Sequence, residues 1–368
     1  MDSLNLIKND PWLEPYKTDI EHRFQLSVSK EKELAGKGKS LSDFADGYLY
    51  FGLHKTEQGW VIREWAPNAT DIFLIGNFSE WKENTKYRFS KLKNGVWELK
   101  LKTGEIKHLD LYKLSMHWNG GHGERIPAWA TRVVQDEKTY IFSAQVWSPS
   151  RPYKFKKKKF KPQISPLLIY ECHIGMAQEE ERMGSYNEFR EKILPRIAKD
   201  GYNAIQIMAV QEHPYYGSFG YHVSSFFAPS SRFGTPDELK QLIDEAHASG
   251  IAVIMDIVHS HAVKNEVEGL GRFDGSYNQF FYGDHRREHP AWDSLCFDYG
   301  KNEVIHFLLS NCKYWLEEFK FDGFRFDGVT SMLYYDHGLG KAFGSYNDYY
   351  DGGQDENAIT YLTLANKL

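Results

Sequence analysis

The sequence predicts a small antiparallel β-sandwich followed by a parallel β-sheet covered by helices. Three observations carry this. From Gly47 to about residue 145, short β-type runs alternate with turn residues, the pattern of a sandwich. After Pro166, strand-like and helix-like stretches alternate four times, as they do when parallel strands are joined by crossover helices. Between the two textures lies Arg151-Pro-Tyr-Lys-Phe-Lys-Lys-Lys-Lys-Phe-Lys-Pro162, a charge run bounded by prolines that reads as a solvated linker.

Residues 1–47 form a charged segment, helical in part: Lys30-Glu31-Lys32-Glu33-Leu34 favours a helix, and Gly36 and Gly38 end it. The sandwich region, residues 48–150, has candidate strands at Tyr48–Leu53, Trp60–Trp65, Asp71–Ile75, Val96–Leu101 and Leu111–Met116. The linker is assigned to residues 151–166. Residues 167–368 open with a buried strand, Leu168–Ile174. Tyr186–Lys199 then carries Phe189, Ile193, Leu194 and Ile197 at helical spacing. Ala204–Val210 is the second strand. Thr235-Pro-Asp-Glu238 is a capping box with proline at the first helical position, opening a helix to Ser249. Ile251–Val258 is the third strand, followed by a long loop and a helix, Glu303–Phe319. Phe321–Asp327 is the fourth strand, and Asp355–Leu368 the last helix.

Composition excludes several classes. The 368 residues carry a formal net charge of −5, so no global field favours nucleic acid or anionic lipid. No apolar run approaches the roughly 18 residues of a membrane span. Cys172, Cys296 and Cys312 are odd in number and widely spaced, which argues for a reducing compartment. The first ten residues lack the basic and apolar stretches of a secretory leader, and the cytoplasm is the expected location. Aromatic residues make up 15% of the chain. Core packing accounts for most of them, and stacking on flat ligands is the functional alternative.

The fourth strand is the most informative stretch. Alternate residues of a strand face one side, so Arg325 and Asp327 project together from its C-terminal end. A guanidinium beside a carboxylate keeps it charged and oriented, as a carboxylate nucleophile requires. Asp256 reaches the same rim from the third strand, with His259 and His261 just past it. The loop after the second strand supplies Glu212, His213, Tyr215, Tyr216, Tyr221 and His222. A His-x-His pair beside strand ends also suits a metal-dependent hydrolase. Barrel enzymes of that kind place the pair on the first strand and need a lysine closing a later one. Neither feature occurs here, so no metal and no cofactor are expected.

Asp256-Ile-Val-His-Ser-His261 and Gly323-Phe-Arg-Phe-Asp327 resemble two signature regions of the α-amylase superfamily. Tyr215-Tyr-Gly-Ser-Phe-Gly-Tyr-His222, Ser231-Arg-Phe-Gly-Thr-Pro236, Trp292-Asp-Ser294 and Arg325-Phe-Asp-Gly-Val-Thr-Ser-Met-Leu333 narrow the resemblance to glycogen and starch branching enzymes of eukaryotic type. Glu64-Trp-Ala-Pro67 and Gly76-Asn-Phe-Ser-Glu-Trp81 resemble the starch-binding module that precedes such barrels. The resemblance implies a carbohydrate-binding β-sandwich followed by four of the eight β/α units of a TIM-type barrel. It implies a retaining transglycosylase acting on α-1,4-glucan, with Asp327 as nucleophile and Arg325 positioning it. Asp256 and His261 would hold the reacting sugar, and Tyr221 would stack beneath it. Tyr216, His259 and Trp81 are the further glucan-contact candidates. The resemblance expects an acid/base glutamate on a fifth strand, and this sequence stops in the helix after the fourth. The expectation is a fragment, inactive alone, of an enzyme that is a monomer at full length. A related glucan hydrolase or debranching enzyme, or a non-catalytic glucan-binding protein, are the alternatives.

Overall fold

In the computed structural model, which describes residues 3–157, 159–162 and 166–368, the lysine- and glutamate-rich N-terminal stretch is a helix, α1, Lys17–Ala35. It ends where Gly36 takes φ +72°. The segment after it turns back through Leu41–Phe44, capped reciprocally by Ser40 and Asp43. The strand expected at Tyr48–Leu53 is displaced. Gly47–Tyr50 makes one helical turn, and the strand starts at Gly52. The cause is docking: Gly47 N–H donates to Ser310 Oγ at 3.0 Å, and a Cβ at 47 would come within 2.5 Å of the His306 ring. Tertiary contact overrides the β-propensity of Tyr48-Leu-Tyr-Phe51.

The sandwich consists of two antiparallel sheets. One runs Gly52–Thr56, Gly59–Trp65, Val96–Lys102, Ser90–Lys91 in spatial order. The other runs Ala69–Gly76, Leu111–Trp118, Phe142–Gln145, Val133–Gln135, with Gly121–Arg125 also paired to Leu111–Trp118. The remaining four expected strands coincide with observed ones to within two residues at each end.

Beyond it, β1 (Ile169–Cys172), β2 (Ala204–Ile207), β3 (Ala252–Ile257) and β4 (Gly323–Phe326) lie side by side in chain order. Every pair is parallel, with Ala204 opposite Ala252 and Asp256 opposite Arg325. The covering helices are Tyr186–Lys199, wound as a π-turn just before Pro195, α2 (Pro236–Ala248), α3 (Asn302–Glu318) and α4 (Glu356–Lys367). The π-turn precedes a proline that has no N–H to give the helix ladder. The second strand is shorter than expected: it stops at Ile207, and the chain resumes at Gln211 as a hairpin with Ser225–Pro229. The long connection after β3 holds a small ribbon of Ala262–Val263, Ser294–Leu295 and Glu288–His289.

Several aromatic contacts join these regions. Trp129 of the sandwich stacks on Phe227 at 4.7 Å between centroids and meets the edge of Phe307 of α3. Trp65 meets the edge of Phe280, and Asn68 binds both the carboxylate and the carbonyl of Asp274. Helix α1 reaches across to α4 through Arg23–Glu356 at 3.0 Å. The basic stretch is less free than a solvated linker. Asp244 of α2 accepts from the Tyr153 hydroxyl and the N–H groups of Lys156 and Lys157, and Phe160 stacks on His247 at 4.2 Å. Its described lysine side chains stay exposed while its aromatics dock. Residues 158 and 163–165 lie outside the described part.

Candidate active site

β3 and β4 are adjacent and in register, so Asp256 stands directly opposite Arg325. The alternation of β4 sends Arg325 and Asp327 to one side. Phe326 takes the other, 5.9 Å from the His259 ring. The backbone N–H of Asp327 donates to Ile257 O at 3.0 Å, which fixes the strand end where the carboxylate departs.

One guanidinium nitrogen of Arg325 donates to Asp256 at 3.0 and 3.1 Å and to Asp327 as well. The Tyr221 hydroxyl donates to Asp256 Oδ2 at 2.9 Å. Asp256 is fully buried, whereas the Asp327 side chain keeps 20% of its exposure. Burial pushes Asp256 above the usual carboxylate range, aided by the charge of Asp327 and opposed by its bonds to Arg325 and Tyr221. Burial and the Asp256 charge push the Tyr221 phenol up, so it stays a donor. Burial pulls Arg325 down, but its bonds to the two carboxylates outweigh this and hold it a cation.

His261 is buried, and burial lowers it to about 4. Its Nε2 lies 2.9 Å from the carbonyl of Tyr221, and its Nδ1 2.9 Å from Ser260 Oγ. The ring therefore donates to the backbone of Tyr221 and accepts from Ser260. In this structure His261 positions Tyr221, and its two nitrogens are already engaged.

Asp327, Tyr221 and His261 line one cavity of about 490 Å³, together with His222, Ala291, Trp292 and Asp293. His222 was noted in sequence without a role. Trp292 and Asp293 carried the resemblance but no function, because nothing local marks a residue in the long connection between Ile257 and Asn302 as reaching back to the strand ends.

His259 and Tyr216 fall elsewhere, and Trp81 lies where it was expected, at a turn of the sandwich. His259 is a correction: it is fully buried, with Nδ1 2.6 Å from the Tyr361 hydroxyl and Nε2 2.9 Å from Asn311 Oδ1. It ties β3 to α3 and α4 and has no face for a glucan. Tyr216 packs toward the end of β1, its ring 5.9 Å from His173, and is not among the cavity residues. Trp81 sits at φ +57° in a turn of the sandwich and is 39% exposed, apart from the cleft. Trp97, by contrast, is buried and donates to Ala66 O. Glu212 is also removed from the rim: it is fully buried and bound by Arg232, Ser230 Oγ and the Ser231 N–H. Among the described residues no cluster of three or more metal-ligating side chains occurs.

Two family models match the chain: carbohydrate-binding module 48 (isoamylase N-terminal domain) over residues 50–130, and the α-amylase catalytic domain over residues 180–295. Solved structures share the fold. The chain superposes on the pullulanase SAP of Group B Streptococcus with a TM-score of 0.64 at 21% identity, covering 76% of this chain and 42% of that one. The catalytic module of the pneumococcal glycogen-degrading factor SpuA gives 0.64 at 18% identity, covering 79% of this chain and 48% of that one. Curated relatives are much nearer in sequence. The 1,4-alpha-glucan-branching enzyme of Yarrowia lipolytica is 46% identical over all of this chain and 54% of its own length. That of Dictyostelium discoideum is 45% identical over all of this chain and 55% of its own length, and that of Equus caballus 45% over 99% and 53%. The sandwich, the parallel sheet and this identity along the whole chain agree: the chain belongs to the family of 1,4-alpha-glucan-branching enzymes within the α-amylase superfamily, and it spans about half the length of those relatives.

Proposed function

We propose that this chain carries the nucleophile half of a retaining transglycosylase that builds α-1,6 branches into an α-1,4-glucan such as glycogen or starch. The observation that carries the reading is the Arg325 bridge, which holds Asp327 at the cavity while Asp256 and Tyr221 brace it from behind. An Asp327 oxygen attacks the anomeric carbon, the α-1,4 C–O bond breaks, and the leaving oxygen takes a proton from an acid. The 6-hydroxyl of an acceptor then attacks the same carbon, releases Asp327 and returns a proton. Retaining chemistry needs a second carboxyl group about 5–5.5 Å from the first. Asp256 does not suit that task, because both its oxygens are engaged by Arg325 and Tyr221. We place the acid outside these 368 residues. Trp81, exposed at its turn, is the proposed glucan contact of the sandwich. Three buried free cysteines support a cytoplasmic location.

The test bypasses the missing acid. Fluoride leaves a glycosyl fluoride without protonation, so α-maltotriosyl fluoride should glycosylate Asp327 in the chain as it stands, the carboxylate oxygen displacing fluoride. Mass spectrometry should find one added maltotriosyl group on the peptide containing Asp327, and none in Asp327→Ala. With amylose, the chain alone should give no branching by loss of iodine colour. An unlabelled Asp327 peptide, or the label on another residue, overturns the assignment. Iodine-detected branching by the chain alone overturns the placement of the acid.

A further inference from the structure

The cavity beside Asp327 has a second aromatic wall. Trp292 is 37% exposed, yet it is held from two sides. Its ring stacks on His289 at 4.1 Å between centroids and 7° between planes. The same imidazole accepts the N–H groups of Ala291 and Trp292 through Nδ1, at 3.2 and 3.1 Å. His289 is itself buried, and burial lowers it to about 4, so it keeps the acceptor form at neutral pH. The other neighbour is the catalytic strand: an alanine methyl at Gly328 would lie 3.2 Å from Cη2 of Trp292. The indole thus abuts the residue that follows Asp327, with the His261 ring 5.1 Å away. Asp293 lines the same cavity with its side chain 87% exposed.

Trp292 thus presents a flat apolar face, already positioned by His289 and Gly328, to the cavity that holds Asp327. Such a face suits the apolar side of a pyranose, and its prior fixing removes the ordering cost of binding. The resemblance assigns Tyr221 to the sugar that Asp327 attacks, and its hydroxyl is bound to Asp256. The geometry points to Trp292 as the platform of a second glucosyl subsite, taking the sugar that adjoins the reacting one, with Asp293 at its edge to accept from sugar hydroxyls. This inference rests on the proposed function, since it takes the cavity as the glucan cleft.

Indole N–H resonances of the full chain, labelled with nitrogen-15 tryptophan, distinguish the possibilities. The Trp292 signal is assigned by its loss in Trp292→Phe, and the chain is titrated with maltoheptaose. The Trp292 signal should shift saturably. Trp292→Ala should weaken maltoheptaose binding in the cleft about tenfold, and Trp292→Phe should bring it back to within about threefold. A Trp292 signal that stays still, while Tyr221→Ala weakens binding, overturns the second subsite and leaves the cleft reading standing. Binding that neither Tyr221→Ala nor Trp292→Ala changes overturns the cleft reading as well, and a shift confined to the Trp81 signal would assign that binding to the sandwich.

Discussion

Arg325 is the residue on which the charge balance of the cleft turns. It is the cation that binds both Asp256, which is fully buried, and Asp327. Arg325→Ala leaves two carboxylates facing each other, and the misplacement should cost labelling by the activated fluoride about 10²-fold. Arg325→Lys keeps the charge but replaces a planar fork with a point donor, so it should recover only part of that loss. Next to it, Gly328 takes φ +64°, and an added methyl would come within 2.7 Å of Ser260 Oγ. Gly328→Ala should cost about 1–3 kcal/mol in denaturant unfolding and displace Asp327; an unchanged midpoint would contradict this account. Four of the site residues were legible in the sequence for simple reasons. Arg325 and Asp327 follow from strand alternation, and Asp256 from its place near the end of the neighbouring strand. Tyr221 followed only from the motif around it. His259 fails as a glucan contact but is the supporting hydrogen bonder its sequence position also suggested, since β3 ends at Ile257. Past that point the chain turns the imidazole into the helix layer.

The elements hold this arrangement through a polar network that no local pattern announces. Asn311, in the middle of α3, donates to Phe226 O at 2.8 Å and accepts from Gln211 Nε2 at 3.1 Å. The same Oδ1 accepts from His259 Nε2, and Tyr361 of α4 completes the chain at His259 Nδ1. A buried asparagine amid Leu308, Leu309 and Cys312 reads as a helix-propensity defect until its partners across 52–100 residues are known. Asn311→Leu fits the helix better but strands His259, Gln211 and the Phe226 carbonyl. It should therefore destabilise by about 3 kcal/mol, measured as a fall in the denaturant midpoint without a change of slope. The helices whose ends are marked chemically were read with least error. Thr235 caps α2, accepting from the Glu238 N–H at 3.2 Å, where the capping box put it. The turn at Gly47–Tyr50, which was read poorly, is set by a contact distant in sequence, with Ser310 and His306.

For the molecule as a whole, the buried ionisable groups divide into two sets with opposite pH dependence. His173, His259, His261, His289 and His306 are all lowered by burial to about 4 from an ordinary 6.5. Between those values the unfolded chain binds protons that the folded one refuses, so stability falls as pH drops through the window. Each contributes a slope of up to about 1.4 kcal/mol per pH unit. Glu64 works the other way. It is fully buried in the sandwich, and burial raises it to about 8 against the pull of backbone N–H groups of Trp65 and Ala128. From 4.5 to 8 the folded state keeps a proton that the unfolded state loses, so this group's contribution declines as pH rises. Below 6.5 five lowered histidines oppose the raised Glu64 and Asp256, and the histidines win. Above 6.5 the decline from Glu64 continues, and the lowered histidines no longer oppose it. Stability should therefore peak near pH 6.5 and fall on both sides. Unfolding in guanidinium chloride across pH 5–8 measures the two arms. Glu64→Gln should flatten the upper arm and leave the lower one steep, because the amide does not titrate. His259→Gln should reduce the lower slope by about 1.4 kcal/mol per pH unit and leave the upper arm unchanged. A peak that stays in place in both variants would mean that other groups govern the acid and alkaline limits of this fold.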